Sequence, residues 1–280
     1  MSAAQTPNIT VRKLGIVARD YNVRFENGHR DFSHVWPDVL ALLDKEGCDA
    51  VLFSLYTLEP RPDFDPYTAF KSLNAVRLVC VEEFADRPRG RKPGACVAYL
   101  KDGADWRAHR VKQVFGRVNT PAAVEEAQKF AKKRLPERIL GNCALIICGE
   151  VNSARYAKLG DKQIHDLFGV RAALPPTVNI ILNAGHDITR RFELPRKRRF
   201  FSEGGRLVVT VWNKGKAGAD GIPRRDSTAP WSAYFDGRPV TVTQVANDLG
   251  VDIGIVDIDR LDGASFPDGA ATAPVTLVTE

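Results

Sequence analysis

The sequence of 280 residues contains no stretch of about 18 consecutive apolar residues, the length that a transmembrane helix needs. Its first residues, MSAAQTPNITVRK, lack the apolar core of a secretory signal. Internal repeats, low-complexity blocks and an obvious linker are missing as well. At 44% hydrophobic residues the chain can bury a large core. These features predict a cytoplasmic protein with no membrane partner and a single domain over residues 1–280.

Cysteine is scarce, and its spacing argues against two kinds of site. The five cysteines form no CxxC pair and are odd in number: Cys48, Cys80, Cys96, Cys143 and Cys148. A disulfide framework and a structural zinc site are therefore not expected. His186 and Asp187 are adjacent, but a metal needs further converging ligands, which the neighbouring sequence does not supply. We expect no metal, no cofactor, and thiols that are mostly reduced and buried.

The excess of positive charge is small. Lys and Arg number 40 against 34 for Asp and Glu, and both signs are scattered along the chain. Two basic segments stand out, RPRGRKPG at 87–94 and RRFELPRKRR at 190–199. Such runs are usually solvated surfaces, so nucleic acid is not an expected partner. The alternatives are selection of an anionic substrate and a contact with acidic residues of a second subunit.

Hydrophobic patterns predict strands that alternate with helices and give way to hairpins. The predicted strands cover 13–18, 48–58, 75–84, 142–150, 177–185, 206–213 and 254–261. Helices are predicted at 34–47, 120–134 and 154–169, followed by a basic amphipathic segment at 189–205 that Pro195 interrupts. Alternation of this kind predicts a mixed α/β protein.

Cys148 follows the most apolar of the predicted strands. Residues 144–147 are all apolar and lead into Cys148 and Gly149, at a strand end where open α/β sheets bind ligands. Gly149 would allow a substrate to approach the backbone closely. Cys148 is therefore a candidate nucleophile, and the alternative is an ordinary buried thiol.

The segment LIICGEVNSARY around Cys148 resembles the nucleophile segment of the nitrilase, or carbon-nitrogen hydrolase, superfamily. Other segments follow in the order of that family: KLGIVA with Asn22, DAVLF, GACVAYLKDGADWRAHRVKQVF, NIILNAGHD, RFFSEGGRLVVTVWN, SAYFDGRPV and IVDID. The resemblance covers about residues 11–261. It implies a four-layer α-β-β-α sandwich of the nitrilase type, usually paired into a homodimer through the outer helices.

The resemblance also implies a chemistry, the hydrolysis of a non-peptide carbon-nitrogen bond in a small amide, nitrile or N-carbamoyl substrate. Cys148 matches the family's nucleophile, which forms a thioester or thioimidate, and Lys112 in RVKQVF matches the lysine that stabilises the oxyanion. Further residues are expected to border the substrate: Glu150, Asn183, His186 and Asp187.

The family's general base, a glutamate, is missing from its usual position. The matching residue is Leu55, which cannot transfer a proton. Glu59 is the replacement nearest in sequence, and the other candidates are Glu82, Glu83 and Glu150. A supporting glutamate of the family matches either Glu125 or Glu126.

Loss of a general base typically costs about 10²- to 10⁴-fold in rate. Two functions therefore stay open at this point. One is a hydrolase with a substitute base, and the other is a nitrilase-fold protein without hydrolytic activity that binds a ligand or a partner.

Overall fold

The computed structural model describes residues 9–20, 31–85, 92–157, 163–187, 193–215 and 229–261. The strands in these ranges are β1 (Lys13–Arg19), β2 (Ala50–Phe53), β3 (Leu78–Ala85), β4 (Lys92–Asp102), β5 (Asp105–Val111), β6 (Ile139–Leu140), β7 (Cys143–Leu145), β8 (Ile180–Asp187), β9 (Leu207–Asn213), β10 (Trp231–Phe235), β11 (Arg238–Val240), β12 (Thr243–Val245) and β13 (Val251–Asp257). The α-helices are α1 (Trp36–Lys45), α2 (Tyr67–Phe70), α3 (Pro121–Lys133) and α4 (Glu193–Ser202), and two short 3₁₀ helices span Leu135–Arg138 and Cys148–Ser153.

The strands form two sheets. The first has the order β12-β13-β1-β2-β3-β4-β5, and the second has the order β11-β10-β9-β8-β7-β6. In each sheet three central strands are parallel, β1-β2-β3 in the first and β7-β8-β9 in the second. Their other neighbours are antiparallel. Parallel strands need crossover connections, and α1 and α4 provide two of them.

The two sheets pack against each other and are covered by helices on their outer faces. Alternate residues of β1, β2, β8 and β9 meet in one apolar core between the sheets. The opposite face of the first sheet packs against α1 and α2, and that of the second packs against α3 and α4. The layers are therefore α-β-β-α, as the sequence predicts.

Local signals explain where the helices lie. The hydroxyl of Thr120 accepts a hydrogen bond from the backbone N–H of Ala123 at 3.2 Å and caps α3. Gly47 follows α1 with φ of 73°, the left-handed conformation that ends many helices. Pro195 does not interrupt α4, because it lies in the first turn, where a backbone N–H has no partner within the helix.

The helix predicted over 154–169 is wrong for the residues that the structure describes. Residues 154–157 and 163–169 are not helical, and the backbones of Arg155 and His165 pair with each other in an antiparallel bridge. That bridge uses the peptide groups that a helix would need for its own hydrogen bonds. The helical spacing of apolar residues in this segment reflects burial alone.

None of the described helices is long and apolar enough to cross a membrane. The single domain over residues 1–280 stays a prediction.

Candidate active site

The carboxyl ends of the parallel strands in the two sheets meet at one edge of the molecule. Asp20, just after β1, forms a parallel bridge with Lys214, just after β9. The backbone N–H of Leu55, just after β2, donates to the carbonyl of Gly185 in β8 at 3.0 Å. Ligands of α/β sheets bind at such edges.

Cys148 lies at this edge in a strained conformation. It begins the 3₁₀ helix that runs to Ser153, and its φ is 43°, in the left-handed region that non-glycine residues rarely adopt. Such a conformation costs about 1–3 kcal/mol and persists only where the surrounding structure enforces it. Cys148 is also the one partly exposed cysteine among the five, all of which lie in described ranges.

A buried ion pair holds the Cys148 turn from behind. The carboxylate of Glu150 accepts hydrogen bonds from the backbone N–H groups of Ile147 and Val114, both at 2.8 Å. It also accepts from both terminal nitrogens of Arg138, at 2.8 and 2.9 Å. Burial raises the pKa of Glu150 to about 7, against the opposing effect of Arg138 and the two N–H groups. Glu150 thus holds the turn against the segment that follows β5, and its carboxylate is used in doing so.

Asn183 holds the turn from the side of β8. Its amide nitrogen donates to the carbonyls of Ile146 at 2.6 Å and Cys148 at 3.3 Å. Its carbonyl oxygen accepts from the hydroxyl of Thr210 at 3.3 Å. The structure therefore brings Asn183 to Cys148, as expected, and gives it bonds to the backbone that positions the thiol.

His186 and Glu82 form a hydrogen-bonded pair beside Cys148. Nε2 of His186 is 3.0 and 3.2 Å from the two carboxylate oxygens of Glu82, and the imidazole also hydrogen-bonds the Cys148 side chain. Burial lowers the pKa of His186, but the hydrogen bonds and charges of Cys148 and Glu82 raise it by more, to about 9. The imidazole is therefore protonated at neutral pH and lies between a sulfur atom and a carboxylate.

Tyr56 supports this pair from the end of β2. Its backbone N–H donates to Glu82 at 2.8 Å, and its ring centroid is 4.3 Å from that of His186. Its φ of 61° is again left-handed, so two strained non-glycine residues flank the same histidine.

Leu55, predicted from the sequence to stand in place of the family's glutamate, has an apolar side chain. It is fully buried and belongs to the core between the sheets. Its carbonyl accepts from the amide of Asn213 at 2.7 Å, and the same amide donates to the carbonyl of His186 at 2.8 Å. The backbone at Leu55 thus helps to position His186, and the Leu55 side chain takes no part in proton transfer.

The two residues predicted to act with Cys148 lie elsewhere. Glu59 is partly exposed, and its backbone N–H donates to the carboxylate of Asp31 at 2.9 Å. Lys112 is exposed and borders a different cavity, which Arg138 also lines. Gln113, one residue further on, lines the cavity beside Cys148.

The exposure of Lys112 next to the inward-facing Gln113 has a simple cause. Successive side chains of an extended segment point to opposite sides, so a difference of one residue in register directs Gln113 inward and Lys112 outward. The expected contact between Lys112 and Cys148 is therefore not supported by the structure.

The remaining glutamates are engaged away from Cys148. Glu83 accepts from Arg110 at 2.8 Å and from the hydroxyl of Tyr99 at 3.2 Å. Glu125 forms an ion pair with Lys129 on the exposed surface of α3. The backbone of Asp187 ends β8, and its side chain lies outside the part of the chain that the structure describes.

A cavity of about 180 Å³ opens beside Cys148. The described residues that line it include Asn183, Gln113, Arg117 and Arg198, and no carboxylate is among them. Cavities for drug-sized ligands measure about 300–1,000 Å³, so this one suits a smaller molecule. No group of three or more His, Cys, Asp or Glu within the described ranges is suited to hold a metal ion.

No protein-family model and no curated protein matches this sequence. Among solved structures, a glutamine-dependent NAD+ synthetase from Acinetobacter baumannii, in complex with ADP, matches 90% of this chain and 46% of its own with a TM-score of 0.50 and 10% identity. This chain thus spans about half the length of the synthetase. A variant of a Nesterenkonia AN1 amidase from the nitrilase superfamily matches over 94% of this chain and 97% of its own, with a TM-score of 0.49 and 12% identity.

A carbon-nitrogen hydrolase from Helicobacter pylori G27 matches over 90% of this chain and 91% of its own, with a TM-score of 0.43 and 11% identity. At such identities a likeness carries no activity over to this chain. The four observed layers confirm the predicted α-β-β-α sandwich.

Proposed function

We propose that the protein is a cysteine-dependent hydrolase of the nitrilase superfamily that cleaves a non-peptide carbon-nitrogen bond in a small amide-type substrate. The observation that carries the proposal is the contact of the strained, partly exposed Cys148 with His186, which is itself bonded to Glu82. A nucleophile, a base within hydrogen-bond reach and a third group that orients the base form the arrangement that acyl transfer requires. The order of the family's motifs along the chain supports the same class.

In this mechanism His186 replaces the family's glutamate as the general base. The imidazole already holds the proton of Cys148 when the substrate binds, so the sulfur attacks the carbonyl carbon as an anion, and a carbon-sulfur bond forms as the carbonyl becomes an oxyanion. The imidazolium then gives its proton to the leaving nitrogen, the carbon-nitrogen bond breaks, and a thioester remains on Cys148. Water, deprotonated by His186, attacks the thioester and releases the acid. Glu82 stabilises the imidazolium throughout.

Gln113 is the best candidate to contact the oxyanion in place of the family's lysine. It lines the cavity beside Cys148, and its amide nitrogen donates one hydrogen to the carbonyl of Phe115 at 2.9 Å. The second hydrogen of that amide is left for a substrate oxygen. A neutral donor stabilises an oxyanion less than an ammonium group does, so we expect a slower enzyme than one with a lysine there.

A second candidate function is ligand binding without hydrolysis. Two observations favour it. Leu55, at the position that the sequence matches to a catalytic residue of the family, is a buried apolar residue, and the side chain of Lys112 is exposed at another cavity.

Intact-mass spectrometry with a panel of small amides, nitriles and N-carbamoyl compounds tests the proposal. The wild type is expected to gain the mass of the acyl group and then to lose it as water completes the reaction, whereas Cys148→Ala gains nothing. Ligand-induced stabilisation with no acyl-enzyme and no product from any compound would favour the second candidate function.

The single domain, the cytoplasmic location and the pairing into a homo-oligomer belong to the same proposal. Sedimentation of the full chain is expected to give twice the monomer mass of 30.9 kDa.

A further inference from the structure

A guanidinium group with no carboxylate partner among the described residues lines the cavity beside Cys148. Arg198 of α4 donates from Nη1 to the hydroxyl of Ser232 at 3.2 Å, and its Cζ lies 5.0 Å from the centroid of the Trp212 ring. Its Nε is shielded from solvent and has no hydrogen-bond partner in the ranges that the structure describes. Burial lowers the pKa of Arg198 to about 10, so the group stays charged at neutral pH.

Two other arginines of the described chain show the usual arrangement, with an acidic partner. Arg138 is paired with Glu150 in the interior, and Arg171 is paired with Glu203 at 2.7 Å on the surface. A charge that is buried without a counter-ion is costly and is found mainly where a ligand supplies the missing charge. Arg198 therefore differs from them in a way that points to a ligand.

The free edge of this guanidinium indicates which kind of anion it can bind. Nη1 is occupied by Ser232, so the edge left for a ligand consists of Nε and Nη2. Two parallel N–H groups on one edge match the two oxygens of a carboxylate. The rim of the same cavity carries Arg117, which is exposed, and no acidic residue among the described lining residues opposes an anion.

We propose that Arg198 binds a carboxylate of the substrate, and hence that the substrate is a short-chain amide that carries a carboxylate. This inference rests on the proposed function, since it places the scissile bond at Cys148 and the carboxylate at Arg198. The volume of about 180 Å³ limits the distance between the two groups to a few carbon atoms.

The test compares two substrates that differ in one charge, the monoamide of a short dicarboxylic acid and the methyl ester of the same monoamide. Arg198→Gln is expected to lower kcat/KM for the anionic amide by about 10²-fold, because the partner of a buried charge pair is lost, and to leave the neutral ester within about threefold. Arg199→Gln is the matched control. It removes the same charge from the next residue of α4, which is exposed and packs on Tyr234, and it is expected to change neither value.

Arg198→Lys keeps the charge and removes the two-pronged edge, and it is expected to retain an intermediate preference for the anion. It also serves if Arg198→Gln does not fold. Equal losses on both substrates in the Arg198 variants, or a wild type that prefers the neutral ester, would overturn the inference.

A second readout separates this inference from the proposed function. Iodoacetate and iodoacetamide alkylate thiols without hydrolysis and differ in the same charge. The ratio of their rates at Cys148, relative to a free thiol, is expected to favour iodoacetate in the wild type and to fall in Arg198→Gln. If no amide is hydrolysed but this ratio holds, the hydrolase proposal fails and the anion site stands. If amides are hydrolysed and neither readout shows a charge preference, the anion site fails alone.

Discussion

Two charged pairs flank the Cys148 turn, Glu150 with Arg138 behind it and His186 with Glu82 in front of it. They differ in whether their hydrogen bonds hold the backbone or reach the thiol. Behind the turn, Glu150 is fully buried, and the described hydrogen bonds of its carboxylate are to Arg138 and to two backbone N–H groups. In front of it, the side chain of His186 is 14% exposed and contacts the thiol itself. The first group holds the backbone, and the second is placed to move a proton. Both contain a buried carboxylate, so its partners, not the residue type, separate the structural role from the chemical one.

The largest expected effect is on catalysis and comes from variants of the His186–Glu82 pair in front of the turn. His186→Asn should lower kcat by about 10³-fold, because Asn cannot take the thiol proton, and Glu82→Gln should lower it by about 10²-fold, because the imidazolium loses its counter-charge. Steady-state kinetics on a substrate that acylates Cys148 measures both, and melting temperatures confirm that the variants fold. Wild-type kcat in His186→Asn would show that another residue is the base.

The next largest effect is on stability and comes from the group behind the turn. Glu150→Gln should reduce the free energy of unfolding by about 3–5 kcal/mol at pH 8, because it leaves the buried guanidinium of Arg138 without its counter-ion. Urea denaturation measures the change. Glu125→Gln breaks an exposed ion pair on α3 and serves as the control, with little change expected. A loss in Glu150→Gln no larger than in that control would mean that the buried pair does not hold the turn.

A smaller effect is expected on how the free energy of unfolding depends on pH. The pKa of His186 is raised from 6.5 to about 9 in the folded protein. Its contribution to stability is therefore fully present below about pH 6.5 and is lost as pH rises through about 9. The free energy of unfolding of the wild type should fall between these values, and His186→Asn should lack that part of the fall. Parallel pH curves for the two proteins would refute the assignment.

The smallest effect is expected at Lys112. Lys112→Met should change kcat/KM by less than about threefold, because the Lys112 side chain is exposed and borders another cavity. Gln113→Leu, its neighbour inside the Cys148 cavity, should cost about 10²-fold, since it removes the proposed oxyanion donor. A larger loss in Lys112→Met than in Gln113→Leu would show that the lysine, and not Gln113, acts at the site.

Much of the fold is predictable from local patterns. The apolar strands that became β1, β2, β3, β8 and β9 stand out because they are buried on both faces, and the Thr120 cap and Gly47 mark helix ends. The helix prediction over 154–169 is wrong because the spacing of its apolar residues reflects burial of non-helical segments against the second sheet.

The site was only partly predictable, for physical reasons. Cys148 is marked by its strand and its neighbours, and His186 is marked by its position at a strand end. The bond between His186 and Glu82 joins residues 104 positions apart on different sheets, and no local pattern encodes it. Gln113 and not Lys112 lines the cavity because of a register of one residue, which resemblance of motifs does not resolve.

The most direct test of the account is the rate at which iodoacetamide alkylates each cysteine, followed by peptide mapping in the wild type and in His186→Asn. Cys148 should react first, because the other four thiols are buried and burial raises the pKa of Cys48 and Cys80 to about 12. His186→Asn should slow the reaction of Cys148 by at least about tenfold, because the imidazolium no longer stabilises negative charge on the sulfur. Labelling of Cys48 or Cys96 before Cys148, or an unchanged rate in His186→Asn, would contradict the claim that Cys148, His186 and Glu82 act as one reactive group.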